Sequence, residues 1–266
     1  YWNTNLDALP LYYQQLFIYE SNKLNRNGHG YGNEQYNYDF GIVDWTMEPD
    51  ATGKQIMYTN TAPPQFFELP WANLGIWITS KIVFDKLLSA DGSLAVNGSQ
   101  LAESYSVGAD GMSVSFTLKD GLTWHDGSAL TVADVEWSVK TALRVPNIHA
   151  VVANTFTSID GGQAYRDGTS DEIAGIATDG NTITFTMSKL DPNMLLTFTQ
   201  FPPLPMELLK GTDPIELQQA AYWQNPIGSG PFRIEEVQMN DFVRYVPFEN
   251  YHGGVAKIDE IVAFPS

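Results

Sequence analysis

Seven Asp-Gly dipeptides, among them those at 91–92, 120–121, 126–127 and 179–180, limit what this chain can fold into. An Asp-Gly step supplies the backbone that a tight turn needs and interrupts helix and strand alike. Only short elements fit between such turns. Residues 114–118 (VSFTL) and 183–187 (ITFTM) alternate apolar and polar side chains, the period of a half-buried strand. Residues 131–143 carry helical spacing instead, with Val135, Val139, Ala142 and Leu143 at i, i+4, i+7 and i+8. Thr131 is a good N-cap, and Asp134 stands three residues on, where a capping box usually has Glu.

The rest of the chain reads in the same mixed way. Residues 9–20 (LPLYYQQLFIYE) suggest one or two buried strands, 21–32 a loop dense in Asn and Gly, 38–45 a short strand, and 47–54 a linker. A strand is predicted at 55–60, an irregular apolar loop with three prolines at 63–75, and a helix at 78–88. Helices at 192–198 and 214–223 come next, then strands at 233–238, 241–249 and 257–263. Strands and helices interspersed without a repeat argue for an α+β or mixed α/β fold. At 266 residues the chain is long for one domain and comfortable for two, at ~150 residues per domain.

Charge and composition narrow the function classes. The net charge is −17, from 31 acidic and 14 basic residues, and no basic stripe stands out, so no nucleic-acid partner is expected. Such acidity serves solubility, or a field that draws cationic ligands. There is no cysteine, which removes disulfides, thiolate zinc sites and thiol nucleophiles but leaves the compartment open. No run approaches ~18 apolar residues. The chain begins at Tyr1 without Met or a leader, so a removed export signal is the expectation.

Catalytic patterns are sparse. The four histidines, His29, His125, His149 and His252, include no HExxH or i, i+4 pair, and no metal or other cofactor is predicted. His125 beside Asp126 reads as a turn residue packed on a strand rather than a zinc ligand. No GxSxG elbow is present. Gly228-Ser229-Gly230 resembles part of a phosphate loop, but a strand comes after it instead of a helix N-terminus. Carboxylates are numerous, so counting alone leaves a glycoside-hydrolase pair open. Seven Trp and 13 Tyr suit a concave binding surface, though core packing accounts for most single aromatics. Trp71 and Trp77 flank the loop 70–77 between a strand and a helix, the kind of place where ligand contacts gather.

Two long stretches carry a resemblance. Residues 101–143 (LAESY, then VSFTLKDGLTWHDGSALTVADVEWSVKTAL) are similar to the signature region of the family 5 extracellular solute-binding proteins. Residues 225–263 (NPIGSGPFRIEEV, then FENYHGGVAKIDEIVAF) resemble that family's "PxGTGPYxL…NPxYWGGxPxxDxIxF" segment. With 156–190, the likeness runs from about residue 55 to 266. It implies one periplasmic-binding-protein-like (class II) lobe, with a mixed sheet and a smaller supporting subdomain. The lobe core would be 55–90 with 191–266, and the subdomain 91–190.

The family is about twice as long and has a second lobe. Its C-terminal segment returns to the first lobe through a pattern like residues 8–32 (ALPLYYQQLFIYESNKLNRNGHGYG), which here stand at the opposite end. The resemblance therefore implies an engineered, circularly permuted arrangement: 1–46 as the returning segment, 47–54 as the junction, and chain ends that meet at the hinge. A natural N-terminal extension is the alternative.

The resemblance also implies a function. It points to the monomeric substrate-binding component of an ABC importer, extracellular or periplasmic, lipid-anchored in its parent, and handing peptides to membrane permease subunits. An oligosaccharide ligand, a glycoside hydrolase and a structural surface module are the rival readings. By resemblance the ligand contacts are Trp71, Ala72, Asn73, Leu74 and Gly75, with Trp77 behind them, and no residue is catalytic.

Overall fold

A computed structural model describes residues 20–29, 41–61, 69–72, 78–91, 95–238 and 240–265. The predicted strand at 9–20, except Glu20, lies outside the described residues, as do Tyr1 and Ser266, whose separation bears on permutation.

Two four-stranded sheets organise the chain. The first contains β3 (Ile56–Thr61), β10 (Phe232–Gln238), β11 (Phe242–Pro247) and β12 (Glu260–Pro265), in the order β10-β11-β12-β3. β10 to β12 are antiparallel neighbours, whereas β12 and β3 run parallel, with Ile261 opposite Met57 and Ala263 opposite Thr59. This is the mixed sheet that the resemblance implies. The second sheet is antiparallel throughout: β6 (Ala102–Val107), β7 (Ser113–Leu118), β9 (Thr182–Thr186) and β8 (Ile176–Asp179). Two small ribbons complete the strands, β1 (Leu24–Asn25) with β2 (Thr46–Met47), and β4 (Leu88–Ala90) with β5 (Val96–Ser99).

The alternation read from sequence sets the faces of the second sheet. Val114, Phe116 and Leu118 of β7 point inward, as do Ile183 and Phe185 of β9. Outward, Ser115 meets Thr184 at 2.8 Å and Thr117 meets Thr182 at 2.9 Å, hydroxyl to hydroxyl.

The helix predicted over 131–143 is Val132–Arg144. The Thr131 hydroxyl accepts from the Ala133 N–H at 3.3 Å, and Asp134 accepts from the Thr131 N–H at 2.8 Å, so the box closes with Asp in place of Glu. Val135, Val139, Ala142 and Leu143 are all buried.

Other expectations need correction. The helix predicted over 78–88 ends after one turn, Ile78–Ile82. Beyond it the backbone pairs elsewhere: the Val83 carbonyl accepts from Gly230, the Lys86 carbonyl from Leu101, and the Leu88 N–H donates to Phe198. Residues 83–88 are buried on every side, so their apolar run is an extended core segment rather than a helix face. Within the strand predicted at 38–45, Gly41 takes φ 74° and starts a 3-10 turn, Ile42–Asp44. The helix predicted at 214–223 is two 3-10 turns, Leu217–Gln219 and Ala221–Gln224, separated at Ala220 by ψ 139°. Three described helices had no reading in sequence, Ala150–Thr157, Gly162–Arg166 and Met206–Leu209.

One hydrophobic cluster joins both sheets, from Ile42 to Ala263. Aromatic rings form its spine. Phe198 meets Phe116 at 4.7 Å and Phe185 at 4.9 Å, and also packs on Phe156. Phe156 meets Phe201 edge-on at 4.7 Å, and Phe201 stacks on Trp71 at 5.0 Å. This spine connects the second sheet to the stem of the loop after β3. Replacing Phe198 by Ala should cost about 3–5 kcal/mol, because it empties the point where these rings converge. Thr131→Ala should cost only about 1 kcal/mol, the value of an N-cap. Denaturant midpoints of the two variants against the parent check the ranking.

Candidate ligand-binding wall

The stem of the loop after β3 is fixed by three sets of bonds. The Leu69 N–H donates to the Gln218 side chain at 3.0 Å, and Ala72 N–H closes a turn on Leu69. The Trp71 indole N–H donates to the Pro202 carbonyl at 2.7 Å while its ring lies on Phe201. The Trp71 carbonyl accepts from the His149 N–H at 2.8 Å, and His149 in turn caps the helix Ala150–Thr157 through Nδ1.

Of the six residues expected to contact ligand, Trp71 is wholly buried and Ala72 half-buried. The Trp71 side chain leaves no face open to a ligand. It works as the anchor from which the next residues depart. Asn73, Leu74, Gly75 and Trp77 lie outside the described residues, and the chain re-enters at the buried Ile78.

A second fixed element lies across α1 (Ile78–Ile82), the turn at 228–230. A Cβ on Gly228 would sit 1.8 Å from the Val83 carbonyl oxygen, and one on Gly230 would sit 2.4 Å from that of Ile82. Only glycine allows that approach, which explains a Gly-Ser-Gly sequence by packing alone. His125 pins the turn. Its Nδ1 accepts from the Gly228 N–H at 3.2 Å, which leaves the proton on Nε2 to be donated to the Gly230 carbonyl at 2.9 Å. The His125 N–H also donates to the Gly228 carbonyl at 2.9 Å. Thus His125 is structural, as expected, but its partner is a turn 103 residues away in sequence.

Beside it, buried Asp85 accepts from the Tyr251 hydroxyl at 3.0 Å and from His252 Nε2 at 2.7 Å. His252 Nδ1 receives a bond from Lys119 Nζ at 3.1 Å. This chain ties the segment after α1 to the loops before β12 and after β7. Sequence reading missed it. The one available sign was that His252 stands where the family pattern has Trp. The other buried carboxylate among the described residues, Asp134, accepts from the N–H groups of Thr131 and Met206. Burial pushes its carboxyl up, against the pull of those bonds. Both of these carboxylates are thus occupied in holding backbone and loops. Among the described residues no three His, Asp or Glu side chains converge on a metal position, and no helix is long and apolar enough to cross a membrane.

Burial drives His125 down from 6.5 to about 4, against smaller opposing pulls from the Gly230 bond and Asp85. The unfolded chain takes up a proton as pH falls below 6.5, while the folded chain refuses it until about 4. The stability contributed by neutral His125 is therefore complete above the unfolded value and disappears as pH drops through that window. His125→Phe lacks this component. The stability gap between parent and variant should narrow by on the order of 2–3 kcal/mol from pH 7 to pH 4, as read by urea melts at each pH.

Comparison with known proteins places this geometry. Residues 98–265 match the family model described as "Bacterial extracellular solute-binding proteins, family 5 Middle". A Brucella ovis protein named as a putative ABC transporter peptide-binding protein is 27% identical over 181 residues, covering 67% of this chain and 31% of its own length. The dipeptide-binding protein of Escherichia coli is 24% identical over 237 residues, covering 83% of this chain and 42% of its own length. The crystal structure of an ABC transporter substrate-binding protein from Listeria monocytogenes superimposes with a TM-score of 0.63 at 25% identity, over 80% of this chain and 41% of that one. The chain thus spans less than half the length of these relatives.

Proposed function

Because this chain belongs to the bacterial extracellular solute-binding proteins of family 5, we propose that it forms one wall of a receptor that captures peptides for an ABC importer. The wall works by shape and main-chain pairing. An extended peptide offers the same N–H and C=O groups whatever its sequence, so backbone partners give affinity without selecting side chains. The residues assigned to this contact are Ala72, Asn73, Leu74 and Gly75, with Trp77 behind them and Trp71 as their anchor. Asn73 pairs with the peptide backbone through its amide.

The observation that carries the reading is the locked stem. The indole-to-Pro202 bond and the stack on Phe201 fix the chain immediately before the contact residues. A stem held this way loses little freedom when a ligand arrives. Closing against a second lobe would bury the peptide and create the form that membrane permease subunits recognise. The receptor is placed outside the cytoplasm as a monomer, and its parent is lipid-anchored.

The reading divides the chain into a lobe core (55–90 and 191–266) and a supporting subdomain (91–190), and the placing of one four-stranded sheet in each supports it. Part of 1–46 joins the core. Ile42 and Trp45 are buried in the common cluster, and the Val43 carbonyl accepts from the Lys257 N–H at 3.2 Å. That contact supports reading 41–46 as part of the same lobe.

A sugar ligand has one specific observation in its favour. Tyr58 and Phe264 stack at 6.2 Å and 17° between planes and are 65% and 43% exposed, an exposed aromatic pair of the sort that sugar rings use.

Calorimetry and thermal-shift melts of the chain with trialanine, trilysine and cellotriose separate the readings. One wall makes half of the contacts, so peptide affinity should be no better than roughly 1 mM, about −4 kcal/mol. At tenfold excess over that value the peptides should raise the melting point, since binding to the folded state alone adds about 1.4 kcal/mol. Micromolar peptide affinity would contradict a single-wall site. A melting shift with cellotriose and none with peptides would replace the peptide reading with the sugar one.

A further inference from the structure

We propose that a groove between the supporting subdomain and the 213–215 segment, remote in sequence from the 72–77 loop, docks an acidic segment of another protein. The groove has a volume of about 510 Å³ and is bounded by Arg144, Pro146, Arg166, Asp213, Pro214 and Ile215. Arg144 and Arg166 are the last residues of the helices Val132–Arg144 and Gly162–Arg166, so the fold brings two helix ends and two guanidinium groups to one place.

The two arginines are prepared differently. Arg144 is held: its guanidinium lies 4.3 Å over the Tyr165 ring and donates to the Ser170 carbonyl at 3.3 Å. A fork oriented in advance loses little entropy when it grips a carboxylate. Arg166 has no ion-pair or hydrogen-bond partner among the described residues. That is unusual in a chain with 31 acidic and 14 basic residues, where Lys54, Lys140, Arg233, Arg244 and Lys257 each hold a carboxylate. Asp213, the acid in the groove, accepts from the Ile215 N–H at 2.9 Å and forms no ion pair with either arginine.

Basic residues at helix C-termini complement the helix dipole, which accounts for their positions. It does not account for the apolar surface beside them. Ile215 is 66% exposed, and Pro214 and Pro146 line the groove with it. Arginine next to exposed apolar side chains is the mixture found at protein interfaces. Charge complementarity then selects the occupant: carboxylate side chains for the two guanidinium groups, with apolar neighbours for Ile215. The net charge of −17 opposes an acidic partner at long range. Screening over ~8 Å at physiological salt confines that opposition, and the local pairs decide the contact.

The test uses a fluorescein-labelled peptide of alternating Glu and Leu, with binding to the whole chain read by anisotropy and a Lys-Leu peptide of equal length as control. The Glu-Leu peptide should bind with an affinity that falls as salt rises, and R144Q/R166Q should weaken it at least about tenfold. R166Q alone removes a side chain with no partner within the described fold. It should leave the melting curve unchanged and still weaken binding several-fold, so a misfolded double variant does not blunt the test. The proposal is overturned if R166Q binds the Glu-Leu peptide as the parent does, if that affinity does not fall as salt rises, or if citrate or inorganic phosphate binds while the Glu-Leu peptide does not. The last result would mark a small-anion pocket. A sequence-tolerant wall at 72–77 would take the Glu-Leu and Lys-Leu peptides alike, whereas the salt dependence and the loss in R166Q arise only at the groove, because neither arginine belongs to that wall.

Discussion

The burial of Trp71 is the constraint on which the rest of this structure rests. Its ring closes the aromatic spine that begins at Phe116 and Phe185, and its indole N–H satisfies the Pro202 carbonyl. A buried indole with an unpaired N–H would incur the full desolvation cost, so ring and bond must be placed together. The result joins four parts of the chain: the second sheet, the helix Ala150–Thr157, the 201–202 connection and the stem of the loop. The core thereby sets the point and direction in which the chain leaves Trp71.

A second lock operates through backbone. The turn at 228–230 is pressed on the carbonyls of Ile82 and Val83, closer than any side chain permits, and His125 holds it from behind. Asp85 gathers Tyr251 and His252 beside it. Asp85 is buried and His125, Tyr251 and His252 are half-buried, which suits a catalytic centre, yet each is engaged by bonds within the fold. A receptor needs that economy. In the proposed receptor, buried polar groups set the angle of walls and turns, and loop backbone is assigned to the ligand.

How far the sequence revealed this depends on the range of each interaction. The Thr131–Asp134 box spans three residues and carries its own geometry, so the helix start was legible. Strands β7 and β9 were legible because alternation is a local property of a sheet with one buried face. Residues 78–88 misled because burial on every side erases the difference between helical and extended periods; the partners that decide it, Leu101, Phe198 and Gly230, are distant in sequence. Trp71 was legible as important but not in orientation. Its flanking position suggested exposure to a ligand, whereas the ring it needed, Phe201, is 130 positions further along. The His125–Gly228 tie and the Asp85–His252 pair were hidden for the same reason, and the two-arginine groove depends on where helix ends meet.

Peptide capture by a core-anchored loop is tested most directly by a ¹⁵N NMR titration of the chain with trialanine at millimolar concentration. The expected result is a set of shifts concentrated at the backbone amides of residues 72–75 and 77, fast on the chemical-shift scale, with the Trp71 indole N–H holding its position because it stays bonded to Pro202. Shifts centred on another surface, or a Trp71 indole resonance that moves as a direct contact would, contradict it.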